Sequence, residues 1–422
     1  MSADNHFEEI AHRVESQFGA DRVRVPTALE ANAARVLFEP ASVEEICEAV
    51  RMCESDRITL AAVGAMRTLS QIRREPVALG ISLKRLARIV AYEPDDMTVV
   101  AEAGLTISNF NAVAAPSRQR LPVDPASPQL TTLGSLISAS HAGPLRLSEG
   151  AARDLLIGIR FVGHGGRVIH GGGRVVKNVA GYDLMKVMGG AFGTLGIITE
   201  ATFKVRPIPP EYCIAIAPYD RANDAFSAAA SLNFALPMSH LEVLSPSLAA
   251  RFDAPQKFLL VAGFSGTAQE ISYQAEKIRE LLGAAIEIID DQPALARCET
   301  LRDLDFGLRP LAAQIATRPA GLERALAYCD AEFRAHAASG VAQIFVETAP
   351  SSVVAHKIVA RWRESAHSER GHLRILAAAE SIRGDLEIFD LPNEGALKLM
   401  RQLKSTFDPA GIFNPKCFVG GI

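Results

Sequence analysis

Residues 175–199 read VVKNVAGYDLMKVMGGAFGTLGIIT, with Gly181, Gly189, Gly190, Gly193 and Gly196 set between apolar runs. Glycines spaced in this way mark backbone that turns sharply or that another group approaches closely. A flat, extended cofactor is the group that suits such bare backbone, and Gly181, Gly193, Gly196, Ile197 and Ile198 are the candidate contacts. A second stretch, TTLGSLISASHAGP at 131–144, places Thr132, Gly134 and Ser135 at a helix start, followed by His141 and Gly143. Free backbone N–H groups at such a start would seat a phosphate or a ring carbonyl. Taken alone, the same residues also describe a tight helix N-terminus packed on a sheet. A third stretch, AVGAMRT at 62–68, follows an apolar strand and holds a single glycine, Gly64.

Other chemistry is poorly represented. Cys47, Cys53, Cys213, Cys298, Cys329 and Cys417 are scattered without a CxxC pair. That argues against an iron–sulfur or zinc-ribbon site within the chain, and buried free thiols are the expectation. His367 and His372 are five apart with only Glu369 nearby, which fits loop histidines rather than a metal site. No metal ligands and no catalytic residues are assigned. Gly171-Gly172-Gly173-Arg174 lacks the Lys-Ser/Thr of a phosphate-binding P-loop and reads as a connection.

The elements that must hold these residues are legible from periodicity. Residues 41–56 form an amphipathic helix with a Ser-x-Glu-Glu start, and 58–63 a buried strand leading into Gly64. Residues 97–103 form a strand, and Thr106 caps a helix through Ile107, Phe110 and Val113. Two strands, 155–162 and 167–170, are joined by the turn Gly163-His164-Gly165-Gly166, and 199–205 is a further strand. Arg206-Pro207-Ile208-Pro209-Pro210 reads as a boundary. Beyond it, strands at 258–263, 343–347 and 372–376 alternate with helices such as 273–282, an α+β pattern that ends in a basic helix at 397–407.

A chain of 422 residues with 48% apolar and 22% charged residues can bury large cores without staples. A net charge of -4 provides no electrostatic case for nucleic acid or anionic membrane. No apolar run reaches the length of a transmembrane segment, and the charged N-terminus does not read as a secretory signal. The expectation is a cytoplasmic protein.

The pair of motifs at 132–144 and 175–199, in this order, resembles the FAD-binding domain of the vanillyl-alcohol oxidase/p-cresol methylhydroxylase (PCMH) flavoprotein superfamily. Within it, K-N-V-A-G-Y-D-L and G-T-L-G-I-I-T are similar to the FAD-binding E subunits of multi-subunit glycolate oxidases. The ending Asp408-Pro409-Ala410-Gly411-Ile412-Phe413-Asn414-Pro415 resembles the family's C-terminal motif, which would bring Asn414 near the cofactor. The resemblance implies an α+β fold: a two-lobed PCMH-type FAD-binding domain over 1–208 (lobes of about 1–105 and 106–208), an α+β cap over 209–395, and a segment over 396–422 returning to the FAD domain. The resemblance implies that loop 62–68 meets the pyrophosphate through Gly64, Ala65, Arg67 and Thr68; it departs from the family pattern, with one glycine where several usually wrap the phosphates and Arg67 and Thr68 offering charge and hydroxyl instead, and it holds no His or Cys for a covalent flavin link. Ser135 stands in place of a common glycine, and His141 in place of a common asparagine. His141 either touches the flavin or fills its place.

The function implied is a non-covalent FAD subunit of a glycolate or similar 2-hydroxy acid oxidase or dehydrogenase. Its partners would be a catalytic D-type flavin subunit and an iron–sulfur subunit, with peripheral attachment at the inner membrane through them. The histidine-rich metal motif of the catalytic D subunits is not found here. Two alternatives stay open: a scaffold subunit that has lost FAD, and a stand-alone flavin-dependent D-2-hydroxy acid dehydrogenase.

Overall fold

The structure, a computed structural model, describes residues 3–28, 30–64, 75–173, 182–283, 286–304, 306–384 and 386–422. Ala65, Arg67, Thr68 and Gly181 lie outside these residues.

Helix Val43–Asp56 starts where Ser42 Oγ accepts from Glu45 N–H and stops at Arg57 in the left-handed conformation. Its apolar stripe, including Ile46, Val50 and Cys53, is fully buried. It packs beside strand Leu156–Gly163 and the turn at 164–166, in a core shared with a four-stranded sheet in which Ala34–Phe38, Val77–Ser82 and Leu60–Val63 lie side by side and parallel, with Val23–Arg24 antiparallel on the outside. A five-stranded antiparallel sheet follows, ordered Ile89–Glu93, Thr98–Glu102, Ile197–Lys204, Leu156–Gly163, Arg167–Gly172. The expected hairpin about residues 163–166 is present, with Gly165 and Gly166 at positive φ. Both sheets share one apolar core, with Leu60, Phe110, Phe161, Phe203 and Phe413 among its buried members.

The third sheet has eight antiparallel strands between residues 211 and 378. One face packs its alanines and leucines against helices that include Ala222–Ala235, Ala268–Leu282 and Ser352–Ser368, the last burying Trp362 against it. On the other face, Ile214, Leu244, Val261 and Phe345 pack with residues of helix Asp291–Arg302. That helix leaves part of the face uncovered, and there the strands carry polar residues.

The last segment pairs back onto the first sheet. Leu60 N–H donates to Ile412 O at 2.9 Å, and Asn414 N–H donates to Leu60 O at 2.7 Å. Residues 412–414 thereby continue the sheet beyond Leu60–Val63, with Ile412 and Phe413 buried in the core.

Candidate functional site

Two backbone hydrogen bonds unite the glycine-rich motifs. Phe192 N–H donates to Ser138 O at 2.8 Å, and Gly190 N–H donates to Ile137 O at 3.0 Å. Helix Leu133–Ser138 therefore ends on the loop that its own carbonyls hold. Ser140 and Phe192 both sit at φ 52, an uncommon region for residues with a Cβ. From the far side, Asn414 Nδ2 donates to Phe192 O, and Lys404 Nζ donates to Thr194 O at 2.8 Å.

A cavity of about 560 Å³ opens over this junction, within the range of small-molecule sites, roughly 300–1,000 Å³. Gly64, Thr132, Gly134, Ser135, His141, Gly193, Gly196 and Ile198 all line it. Gly143, Ile197 and Asn414 do not. Gly143 is closed off by Asp124, whose carbonyl oxygen would lie 1.9 Å from an added Cβ. Ile197 points into the core, and Asn414 is spent on the loop and on Leu60. Gly193 has φ +69, and a Cβ there would meet no heavy atom within 4 Å. Its bare backbone edge faces open cavity.

The expectation of free N–H groups at the Thr132 helix start requires correction. Leu133 N–H donates to Leu105 O, Gly134 N–H to Ala103 O, and Ser135 N–H to Thr132 Oγ1. The helix start docks on the strand ending near Ala103, and this satisfies its first donors internally. It contributes shape and small side chains to the cavity. His367 is likewise not in a loop: it ends helix Ser352–Ser368 with Nε2 2.8 Å from Asp390.

The opposite wall was not legible from sequence. Arg334, Gln343, Gln314 and Arg374 stand in direct cross-strand register on four adjacent strands of the eight-stranded sheet. All four line the cavity, as does His336. The available signal was one to three polar residues, at alternate positions where there is more than one, in the strands EFRAH, VAQIFV, LAAQIA and HLRILAA. That reads as a face turned to something polar.

Arg334 is 3% exposed, and burial lowers its pKa while the charges of Glu242 and Asp124 oppose that shift. Its Nε donates to Gln343 Oε1 at 3.0 Å and its Nη1 to Leu301 O at 2.7 Å. His336 Nδ1 lies 2.6 Å from Glu242 Oε1, and Glu242 is fully buried. A carboxylate there holds the proton on Nδ1 and leaves Nε2 able to accept one. Burial pushes Asp124 up to about 7 and His240 down to about 4. Arg374, half-buried with its guanidinium 5.7 Å above the Phe192 ring, is lowered to about 10 by desolvation, with the charge of Arg146 adding to the effect.

Residues 34–172 match the FAD binding domain family, and residues 390–417 match the C-terminal domain of FAD linked oxidases. The chain carries an FAD-binding domain. Its fold is shared with p-cresol methylhydroxylase with substrate bound, at a TM-score of 0.72, 16% identity, and coverage of 97% of this chain and 96% of that one. This is the α+β, PCMH-type FAD-binding architecture. Glycolate oxidase subunit GlcE of Escherichia coli (strain K12) is 31% identical over 173 residues, 41% of this chain and 48% of that protein. A D-lactate dehydrogenase of Anaerostipes hadrus is 27% identical over 292 residues, 62% of this chain and 59% of that protein. The chain thus spans about half the length of these curated relatives. The cavity suits FAD in one testable respect: the Gly193 edge is bare, and the small residues Gly64, Gly134 and Ser135 stand beside it. Among the described residues, no helix is long and apolar enough to cross a membrane.

Proposed function

We propose that this chain is the FAD-holding subunit of an oxidoreductase acting on small 2-hydroxy acids such as glycolate. In this reading residues 1–208 hold the cofactor, 209–395 cap it, and 396–422 brace the cofactor domain. The observation that carries it is one cavity with two unlike walls. Bare glycine backbone of the FAD-binding domain forms one wall, and a polar row from the eight-stranded sheet forms the other. FAD, when bound, supplies a two-electron acceptor that can release its electrons singly. The chain's scattered cysteines hold no cluster motif, so single electrons would pass to an iron–sulfur partner beside a catalytic D-type flavin subunit. Gly64, Thr132, Gly134, Ser135, His141, Gly193, Gly196 and Ile198 are the proposed cofactor contacts, with Ala65, Arg67, Thr68 and Gly181 the proposed contacts outside the described residues. Asn414 and Ile197 support the wall from behind.

A second reading is favoured by one feature, His336 lining the cavity with Glu242 on its Nδ1. His336 Nε2 is placed to take a hydroxyl proton, which direct oxidation by this chain would require. Purified chain is tested first for FAD by its visible spectrum and by cofactor release on heating. Glycolate and D-lactate are then added anaerobically, with and without the partner subunits. Bleaching only with partners supports the relay role, and bleaching of the isolated chain supports direct oxidation. A colourless chain that takes up no added FAD would refute both and leave a scaffold.

A further inference from the structure

The polar row is not uniform along its length. At one end Arg334 has Nη1 and Nε committed to Leu301 O and Gln343 Oε1, its face lies 4.9 Å above the Phe306 ring, and Glu242 and Asp124 offset its charge. At the other end Arg374 has no carboxylate partner among the described residues. Its Nε is buried without an acceptor, and its one side-chain hydrogen bond, to Gln314 Oε1, is long at 3.4 Å. The charge that acts on it is a second cation, Arg146, which lines the same cavity and forms no ion pair among the described residues. Two guanidinium groups in one enclosed space, without a counter-ion, raise each other's energy unless an anion lies between them. Gln314 turns its carbonyl to Arg374, which leaves its Nε2 donors for the same anion. Arg374, Arg146 and the Gln314 amide nitrogen thus offer donors at this end.

We propose that Arg374, Arg146 and Gln314 form a seat for the carboxylate of the substrate, at the end of the cavity away from the Glu242 carboxylate. The proposal rests on the 2-hydroxy acid reading above and deepens it: this chain binds the acid itself, rather than only handling electrons delivered from a partner. The planar fork of a guanidinium matches the two oxygens of a carboxylate. With the carboxylate anchored here, the rest of a short acid extends along the Gln314–Gln343 row toward His336.

The test uses oxalate, a small planar carboxylate that is not a 2-hydroxy acid, titrated by calorimetry into the full-length chain whose FAD content has been measured. The wild-type chain is expected to bind oxalate with one site. Arg374→Met is expected to weaken binding about 10- to 100-fold, the worth of losing hydrogen bonds to a charged group, and Arg146→Met about 10-fold. Arg374→Lys should recover part of the loss, because it restores charge without the fork. Should Arg374→Met fail to fold, Arg146→Met, on the short and partly exposed helix Arg146–Glu149, and Arg374→Lys decide the matter. Absence of oxalate binding by the wild-type chain overturns the proposal, as does unchanged affinity in both methionine variants. Loss of FAD affinity with oxalate binding intact also overturns it, since the arginines would then serve the cofactor's phosphates. Calorimetry reads the seat in a flavin-free chain too, so a failure of FAD binding is seen separately from a failure of the seat.

Discussion

Lys404 is where the end of the chain grips the glycine loop, and replacing it by methionine should cost about 3 kcal/mol of stability. Its ammonium donates to Asp408 Oδ2 at 2.6 Å and to Thr194 O and Phe413 O at 2.8 Å each. The Lys404 side chain is 14% exposed and that of Asp408 is fully buried. Methionine keeps the apolar stem but leaves a buried carboxylate without counter-charge and two carbonyls without this donor. Removing one partner of a buried ion pair costs about 3–5 kcal/mol. The lower end applies, because Asp408 still accepts from Ile412 N–H and Phe413 N–H. In the double variant K404M/D408N no charge is stranded, and the cost should fall to about 1–2 kcal/mol, that of ordinary hydrogen bonds. Urea unfolding followed by circular dichroism gives both values. FAD affinity should drop in parallel with K404M, because Thr194 adjoins the cavity-lining Gly193. A K404M variant within about 0.5 kcal/mol of wild type, or a double variant less stable than the single one, would refute the reasoning.

Gly193 and Gly196 should fail differently. Gly193→Ala adds a Cβ that faces open cavity, so FAD affinity should fall sharply, while the strained φ costs only about 1–2 kcal/mol of stability. Gly196→Val would press within 2.7 Å of Val162 O and 3.0 Å of Phe161, so the fold itself should be lost; equal thermal stability for the two variants counts against this placement. Buried His240 and half-buried Asp124 should give opposing pH effects. His240, lowered to about 4 in the folded chain, binds fewer protons than when unfolded, so its effect is loss of stability as pH falls from about 6.5 to 4. Asp124, raised to about 7, binds more protons folded than unfolded, so its effect is loss of stability as pH rises from about 4 to 7. Asp124→Asn should therefore unmask a slope of up to about 1.4 kcal/mol per pH unit near pH 5; parallel stability curves for variant and wild type would exclude it.

Local features were read from sequence with good fidelity where the physics is local. The Ser42 and Thr106 caps, the hairpin turn at 163–166 and the apolar strands at 97–103 and 199–205 follow from hydrogen-bonding side chains, glycine conformation and apolar runs within a few residues. The glycine motifs marked one wall of the cavity for the same reason, because a missing Cβ is visible in the sequence itself. What sequence could not decide was the fate of groups whose partners lie far along the chain. The N–H groups after Thr132 looked free, but Leu105 and Ala103 take two of them through docking of the helix on a strand. Arg334 and Arg374 are 40 positions apart in a stretch with no recognised motif, and only the order of four strands puts them in one row with Gln343 and Gln314. Charge balance along that row, with Glu242 and Asp124 beside one arginine and Arg146 beside the other, depends on burial and distance in three dimensions. The sequence by itself determined the glycine-bare backbone that lines the cavity and the class of fold. Only the tertiary structure decided which polar side chains face the same space, because register across a sheet is a property of strand pairing rather than of any single strand.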